Sequence, residues 1–184
     1  MTHRVHPYIF RIGQTQTWKS RWFGNKRNFP VFLREDILLR EWLRKKLRAN
    51  YIDSLEFERA PGLLHIIIKT SRPGLLIVRS GEGVEKLKNE IHIKTAKLAK
   101  RVRRPVEKRE LKITVEEVRA PETRATLVAH SIVEELEKRL PFRRTMRQAL
   151  EKVSASKDVK GVKIMLKGRL DGAEIARVEW VKKR

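Results

Sequence analysis

Hydrophobic positions follow helical and strand spacing in turn along the first two thirds of the chain. Apolar residues at four-residue steps over 39–47 predict an amphipathic helix, and Asp36 stands where an N-cap residue is favoured. Strand-like alternation follows over 55–57 and 64–68, with turn-forming residues at 61–62 between the two runs. The face of the helix opposite the apolar stripe is basic and carries Arg40, Arg44, Lys45 and Arg48.

A second group of elements follows this predicted hairpin. Pro73 can open a short helix, and Gly81 and Gly83 separate it from the next element. Apolar residues at three- and four-residue steps over 84–102 predict a longer helix, and alternation over 111–115 predicts a third strand. The order helix, strand, strand, helix, helix, strand indicates an α+β domain.

The last third of the chain predicts a smaller domain of its own. A boundary is expected at 120–121, followed by helices over 128–140 and 142–153 and strands over 162–166 and 175–181. Two strands form only a marginal sheet by themselves, so this half should need a partner surface.

Residues 1–30 have no sustained period but combine aromatic rings with basic side chains. The rings either pack on the domain that follows or stack, together with guanidinium groups, on RNA bases. Both readings stay open for any single ring, whereas RNA contact is favoured for the segment as a whole. The RNA-binding candidates are Arg4, His6, Arg11, Trp18, Lys19, Arg21, Trp22, Lys26 and Arg27.

Positive charge is in excess along the whole chain. Lys and Arg number 44 against 22 Asp and Glu, and the formal net charge is +22. Residues 1–50 carry +9, residues 51–120 carry +6 and residues 121–184 carry +7. Such a potential attracts nucleic acid in a salt-dependent way. No stretch approaches the roughly 20 apolar residues of a spanning helix, so no membrane partner is expected.

The sequence offers little for catalysis. It has no cysteine, its histidines are scattered without metal-ligand spacing, and no glycine-rich loop ends in Lys-Ser or Lys-Thr. His65 lies in an apolar strand and is expected to be a satisfied sheet-face or core residue. A nucleic-acid-cleaving enzyme is suggested by charge alone. We therefore expect a protein that is not an enzyme and that needs neither cofactor nor metal.

The region after Pro141 concentrates positive charge on one predicted helix. Arg143, Arg144 and Arg147 would lie near its N-terminal end, on the side opposite Phe142. No acidic residue occurs between positions 137 and 151. Three guanidinium groups so placed can bind phosphate, although an ordinary solvated basic face is the alternative.

Several short motifs occur in the order found in one known family. The chain resembles bacterial small-subunit ribosomal protein three from residue 3 to about 180. The motifs are Val5-His6-Pro7, Arg11-Ile12-Gly13, Trp18-Lys19-Ser20-Arg21-Trp22, Arg72-Pro73-Gly74, Phe142-Arg143-Arg144 and Gly168-Arg169-Leu170-Asp171-Gly172-Ala173-Glu174-Ile175-Ala176-Arg177.

The resemblance implies a fold and a place of action. Residues 1–16 would be an rRNA-contacting segment, 17–120 a type II KH domain with a three-stranded sheet and helices on one face, and 121–184 a smaller, shortened α/β domain. The implied location is the cytoplasm, in the head of the small ribosomal subunit on its rRNA. The nine N-terminal RNA-binding candidates become rRNA-binding candidates.

The resemblance also implies a role in translation. Basic side chains of the second domain would line the channel through which mRNA enters and would assist mRNA unwinding. These side chains map to Arg143, Arg144 and Arg147. The expected neighbours are small-subunit ribosomal proteins ten, fourteen and five. A free-standing KH-domain regulator that binds RNA away from the ribosome is the alternative.

Two features depart from the family pattern. A KH loop normally reads Gly-x-x-Gly, but here the loop is Val78, Arg79, Ser80 and Gly81. A β-branched residue disfavours the left-handed conformations that glycine adopts, which weakens the expected nucleotide clamp. The chain also stops soon after the predicted strand 175–181, whose edge would be covered by a partner or protected by the basic residues that follow it.

Overall fold

The structure of the protein is a computed structural model that describes residues 5–78, 81–101 and 109–184. It divides into two compact units, Met1–Glu117 and Val118–Arg184. Among the described residues, no helix combines the length and apolar character needed to cross a bilayer.

The first unit is a mixed sheet with helices. Its strands stand in the order β1-β2-β3-β4, in which β2 and β3 are antiparallel and the outer pairings β1–β2 and β3–β4 are parallel. Its elements are, in chain order, α1 (Pro7–Phe10), β1 (Ser20–Arg21), α2 (Phe29–Lys46), β2 (Ile52–Ala60), β3 (Leu63–Thr70), α3 (Pro73–Ile77), α4 (Glu82–Arg101) and β4 (Glu110–Glu117).

The predicted helix and strand order of this unit is confirmed. Leu39 and Leu43 of α2 and Ile91 of α4 are buried against Phe57 of β2 and Ile66 of β3. The four-residue step of the α2 stripe places its leucines on one face, which is why the helix can cover the sheet. Val102, the last position of the predicted α4 stripe, lies outside the described residues.

Two predictions for this unit need correction. Asp36 is not an N-cap, because α2 begins at Phe29 with Pro30 in its first turn, and Asp36 lies in the helix interior with only 1% of its surface exposed. The sheet also has a fourth strand, β1, which is too short to produce a detectable alternation and pairs with β2 from Ser20 to Phe57 and from Arg21 to Glu58.

The buried Asp36 is stabilised by partners that are distant in sequence. Arg59 donates hydrogen bonds to its Oδ1, and the indole Nε1 of Trp22 donates to its Oδ2 at 2.7 Å. Arg59 also lies 3.1 Å from Glu35, which is paired in turn with Arg109. A buried carboxylate is tolerated when it is paired and hydrogen-bonded in this way.

The second unit is a hairpin covered on one face by two helices. Its elements are α5 (Ala125–Glu137), α6 (Phe142–Ser154), β5 (Val162–Gly168) and β6 (Arg177–Lys183), with β5 and β6 antiparallel. The two predicted helices and two predicted strands are confirmed. The last strand begins at Arg177, two residues later than predicted, and Ile175 lies before it in an exposed position.

Candidate nucleic-acid interface

The start of the chain folds back on itself around α1. The Nδ1 of His6 accepts a hydrogen bond from the backbone N–H of Tyr8 at 3.1 Å and so caps this helix. Arg11 donates to the carbonyl oxygen of Pro7 at 2.9 Å, and the hydroxyl of Tyr8 donates to the backbone carbonyl oxygen of Thr17. His6 and Arg11 remain exposed. Arg4 lies outside the described residues.

Trp22 has a structural role in this unit. Besides its hydrogen bond to Asp36, its ring lies 5.2 Å from that of Phe29 and 5.8 Å from that of Phe32, measured between centroids. For this ring the packing alternative is therefore the one that the structure supports. Trp22 connects the N-terminal segment to α2.

Arg21 is also engaged within the unit. Its guanidinium donates to Glu58 and lies 2.9 Å from Glu56. His65 joins this cluster through Nδ1, 2.9 Å from Glu58, and through Nε2, 2.8 Å from the hydroxyl of Thr114. The prediction that His65 is a satisfied sheet-face residue is confirmed. The hydrogen bonds from Arg21 and His65 lower the pKa of Glu58, and the bond to Glu58 raises the pKa of Arg21.

This cluster gives the first unit a defined acid sensitivity. The pKa of Glu58 is lower in the folded than in the unfolded state, so the ionised carboxylate stabilises the folded unit at pH values above its unfolded pKa of about 4.3. This contribution is lost as the pH falls through the pKa of the folded state. Solvent screening of the half-exposed carboxylate limits the effect to less than about 1 kcal/mol. We expect Glu58→Gln to lose less stability than the parent protein between pH 7 and pH 3 in urea unfolding.

The control for this prediction is Glu117→Gln, which changes an exposed carboxylate at the end of β4. It should keep the pH dependence of the parent protein. If Glu58→Gln and the parent lose the same free energy between the two pH values, the cluster does not contribute as described.

Other rings of the N-terminal segment point into solvent. Trp18 is 64% exposed and Phe23 is 89% exposed, and Phe10 is also largely exposed. Lys26 and Arg27 lie in the same segment with exposed side chains. Exposed aromatic rings among cations are the arrangement on which unpaired bases stack while their phosphates are neutralised.

Lys19 lies near the guanidinium groups of Arg40 and Arg44, whose positive charge the carboxylates of Asp53 and Glu56 offset in part. Its ammonium is 4.5 Å from the ring centroid of Tyr8. Its pKa is lowered, first by burial and then by repulsion from Arg44 and Arg40. A phosphate at this place would relieve the repulsion, so the cluster favours an anionic partner.

Arg40 belongs to the basic face predicted for α2. It is half-buried, and its Nη2 donates to the Ser20 hydroxyl at 2.8 Å while its guanidinium lies 5.0 Å from the Phe57 ring centroid. Burial lowers its pKa. Arg40 and Arg44 are part of the cationic cluster that sequence reasoning did not assign to the RNA site, because their proximity to Lys19 depends on the fold.

The KH loop connects α3 to α4. Val78 ends α3 with φ 57° and ψ −176°, a region that is essentially reserved for glycine, and Gly81 has φ 79°. The two described ends of the loop, Val78 and Gly81, therefore both have positive φ, although the first of them is valine. Arg79 and Ser80 lie outside the described residues.

The strain at Val78 predicts that glycine is better tolerated at this position. A non-glycine residue in this region lowers the free energy of unfolding by about 1–3 kcal/mol. Glycine avoids this strain but loses more conformational entropy on folding, which offsets about 0.5–1 kcal/mol of the gain. We expect Val78→Gly to raise the free energy of unfolding by about 1 kcal/mol, as measured by urea unfolding. Val133→Gly, a helical position of ordinary φ, is the control and should lower it. A loss of stability in Val78→Gly would contradict the proposed strain.

In the second unit, the three predicted arginines lie together on α6. Phe142 and Met146 are buried on the core side of this helix, while Arg143, Arg144 and Arg147 are exposed. The first turn contains no acidic residue. The helix N-terminus and three guanidinium groups thus present one positive surface, which suits phosphate.

The arginine surface is only weakly neutralised. Arg143 Nη2 lies 3.9 Å from Glu179, at the outer limit of an ion pair, and its guanidinium lies 5.6 Å from the Phe142 ring centroid. Its side chain keeps 70% of its exposure. Within the described residues, no group of three or more His, Asp or Glu side chains is placed to hold a metal ion.

Comparison with known proteins decides the family. Residues 38–123 match the KH domain family, and residues 132–184 match the family described as ribosomal protein S3, C-terminal domain. The chain is 43% identical to small ribosomal subunit protein uS3 of Koribacter versatilis, over 98% of this chain and 74% of the relative.

The chain belongs to the uS3 family of small ribosomal subunit proteins. It is also 43% identical to uS3 of Solibacter usitatus over 98% of this chain and 48% of that relative, and 40% identical to uS3c of Pyropia yezoensis over 99% and 74%. Some uS3 relatives are therefore much longer than this chain.

Membership of the uS3 family confirms the α+β fold, with a KH domain before the S3 C-terminal domain. The uS3 proteins are structural components of the ribosome, which confirms the expectation that the chain is not an enzyme. Binding of rRNA is general for the family.

Proposed function

We propose that this chain is a structural protein of the ribosomal small-subunit head that binds rRNA and lines the channel through which mRNA enters. In this proposal residues 1–16 contact rRNA, 17–120 form the type II KH domain, whose first residues also contact rRNA, and 121–184 assist mRNA unwinding. Arg143, Arg144 and Arg147 on α6 carry the mRNA role.

The rRNA contact is supported by the exposed chemistry of the N-terminal segment. Trp18 offers a ring for stacking, and Lys26 and Arg27 offer charge for phosphates. Lys19 adds a cation whose repulsion by Arg44 would be relieved by RNA. His6 and Arg11 form hydrogen bonds with backbone atoms of α1, and both side chains remain exposed and can contact rRNA. We assign the contribution of Arg21 and Trp22 to the positioning of this segment.

The mRNA contact is supported by the geometry of α6, which is the single observation that carries this part of the proposal. The buried side of the helix fixes its orientation, so the three arginines are held on one outward face. Guanidinium groups bind phosphate through two parallel hydrogen bonds, and such contacts can hold one strand of a helix while it separates. Small-subunit proteins ten, fourteen and five are the proposed neighbours.

The test replaces Arg143, Arg144 and Arg147 with alanine in ribosomes that carry this chain. Subunit assembly should be unchanged, because none of the three side chains is buried. Translation through a structured mRNA should slow about threefold, equivalent to roughly 0.7 kcal/mol of activation free energy. An unstructured mRNA should be translated at the rate of the parent ribosome.

The matched control replaces Lys152, Lys157 and Lys160, which are exposed cations of the same unit. It removes the same charge and should leave the structured mRNA unaffected. If the arginine variant unwinds structured mRNA as fast as the parent, the assigned role of α6 is wrong.

A further inference from the structure

The β5–β6 hairpin has two faces of different chemistry. On one face Ile164 and Val181 pack with Phe142 and Met146 of α6 and Ile132 of α5. Because side chains alternate along a strand, the residues between them point to the opposite face. The six side chains of this second face, here called the outer face, are all exposed.

The outer face is both basic and apolar. The strand register pairs its six residues in three rows across the hairpin. Among these six side chains there are three lysines and no carboxylate, and the rows are Lys163 with Lys182, Met165 with Trp180, and Lys167 with Val178.

Trp180 lies at the centre of this face. It is 53% exposed, and its neighbour Met165 is 59% exposed. The ammonium of Lys163 lies 5.4 Å from the Trp180 ring centroid and that of Lys182 lies 5.7 Å away. Both lysines belong to the same row, next to the row of Trp180, so an exposed indole for stacking has two ammonium groups beside it.

The exposed indole and the nearby positive charge together favour one kind of binding partner for the outer face. A second copy of the chain would bring the lysines of two outer faces together, which charge repulsion opposes. An unpaired nucleotide fits both features, since its base can stack on the indole and its phosphate can approach a lysine. Bases in a duplex are already stacked and cannot use the ring.

We propose that the outer face of the β5–β6 hairpin is a binding site for unpaired RNA nucleotides, with Trp180 as the stacking ring and Lys163 and Lys182 as phosphate contacts. The five residues from Lys163 to Lys167 span about 13 Å at the usual strand rise. The face therefore has room for one or two bases. This site goes beyond the proposed function, in which the three arginines of α6 are the RNA contacts named in the second unit.

Hydroxyl-radical footprinting of the full chain tests the site directly. Trp180 falls in the tryptic peptide 178–182, so its oxidation can be measured by mass spectrometry apart from that of every other tryptophan. The probes are a short mixed-sequence oligoribonucleotide, the same sequence as a duplex, and poly-L-glutamate at equal charge. A tracer peptide corrects for radical scavenging.

The single-stranded oligonucleotide should reduce Trp180 oxidation about threefold, because stacking covers the ring. The duplex and poly-L-glutamate should leave it nearly unchanged. Equal protection by poly-L-glutamate would indicate a site for acidic protein and overturn the proposal. Equal protection by the duplex, or no protection by the single strand, would also overturn it.

A charge variant tests the lysine contacts. Lys163→Gln with Lys182→Gln should raise the RNA concentration needed for half-protection of Trp180 about tenfold, through the loss of two phosphate contacts. The control, Lys152→Gln with Lys157→Gln, removes two exposed cations of the same unit and should shift this concentration less than about twofold. An equal shift in both variants would show that only net charge matters.

Discussion

Asp36→Ala should lower the free energy of unfolding of the first unit by about 3 kcal/mol. The substitution leaves the Arg59 guanidinium buried with Glu35 as its remaining carboxylate partner. It also removes the acceptor of the Trp22 indole N–H. Removal of one partner from a buried ion pair is costly because the other charge stays out of water.

Hydrogen exchange of the β2 and β3 amides in increasing urea measures this loss, since it reports on the first unit separately from the second. Glu41→Ala is the control, because Glu41 is an exposed carboxylate on the same helix. It should change the stability by less than about 0.5 kcal/mol. If Asp36→Ala also lowered the stability by less than about 0.5 kcal/mol, the buried interactions of Asp36 with Arg59 and Trp22 would not stabilise the unit as described.

Gly83→Ala should lower the free energy of unfolding by about 2–3 kcal/mol. A Cβ at this position would lie 2.2 Å from the carbonyl oxygen of Leu76 and 2.9 Å from Cγ2 of Val78. The first contact is with backbone, so α3 and α4 must move apart. The same movement would change the KH loop that connects these helices.

Gly74→Ala is the matched control for Gly83→Ala. Gly74 lies in α3, and a Cβ there would have no heavy atom within 4 Å. Alanine should therefore raise the free energy of unfolding by about 0.5–1 kcal/mol, as expected for a helical glycine. Both variants can be measured by urea unfolding. Equal stability changes in the two variants would contradict the close approach of α3 and α4 at Gly83.

The elements with regularly spaced apolar residues could be predicted from the sequence. Apolar residues of α2, of the β2–β3 hairpin and of α6 are buried on one face of each element. Because the buried positions must lie on one face, they recur at the spacing typical of a helix or a strand. The N-cap prediction for Asp36 is wrong because α2 begins earlier, at Phe29, and the partners of its buried carboxylate, Arg59 and Trp22, are distant in sequence. The β1 strand escaped prediction because two residues cannot show a period.

The site divides in the same way. The sequence placed Arg143, Arg144 and Arg147 on one helical face, since that depends only on helical spacing. It could not distinguish Trp18, which is exposed, from Trp22, which is half-buried and bonded to Asp36, because exposure depends on what packs behind each ring. The sequence shows lysines alternating with apolar residues in β5. Which residues of β5 lie beside Trp180 depends on the strand register, which only the structure gives.

The central claim is that this basic chain works as a component of the small ribosomal subunit. Sucrose-gradient sedimentation of cells that produce a tagged copy tests it most directly. The account predicts near-stoichiometric co-migration of the chain with small subunits. A chain that stays near the top of the gradient, bound to other RNA and absent from small subunits, would contradict it and would favour a KH-domain regulator.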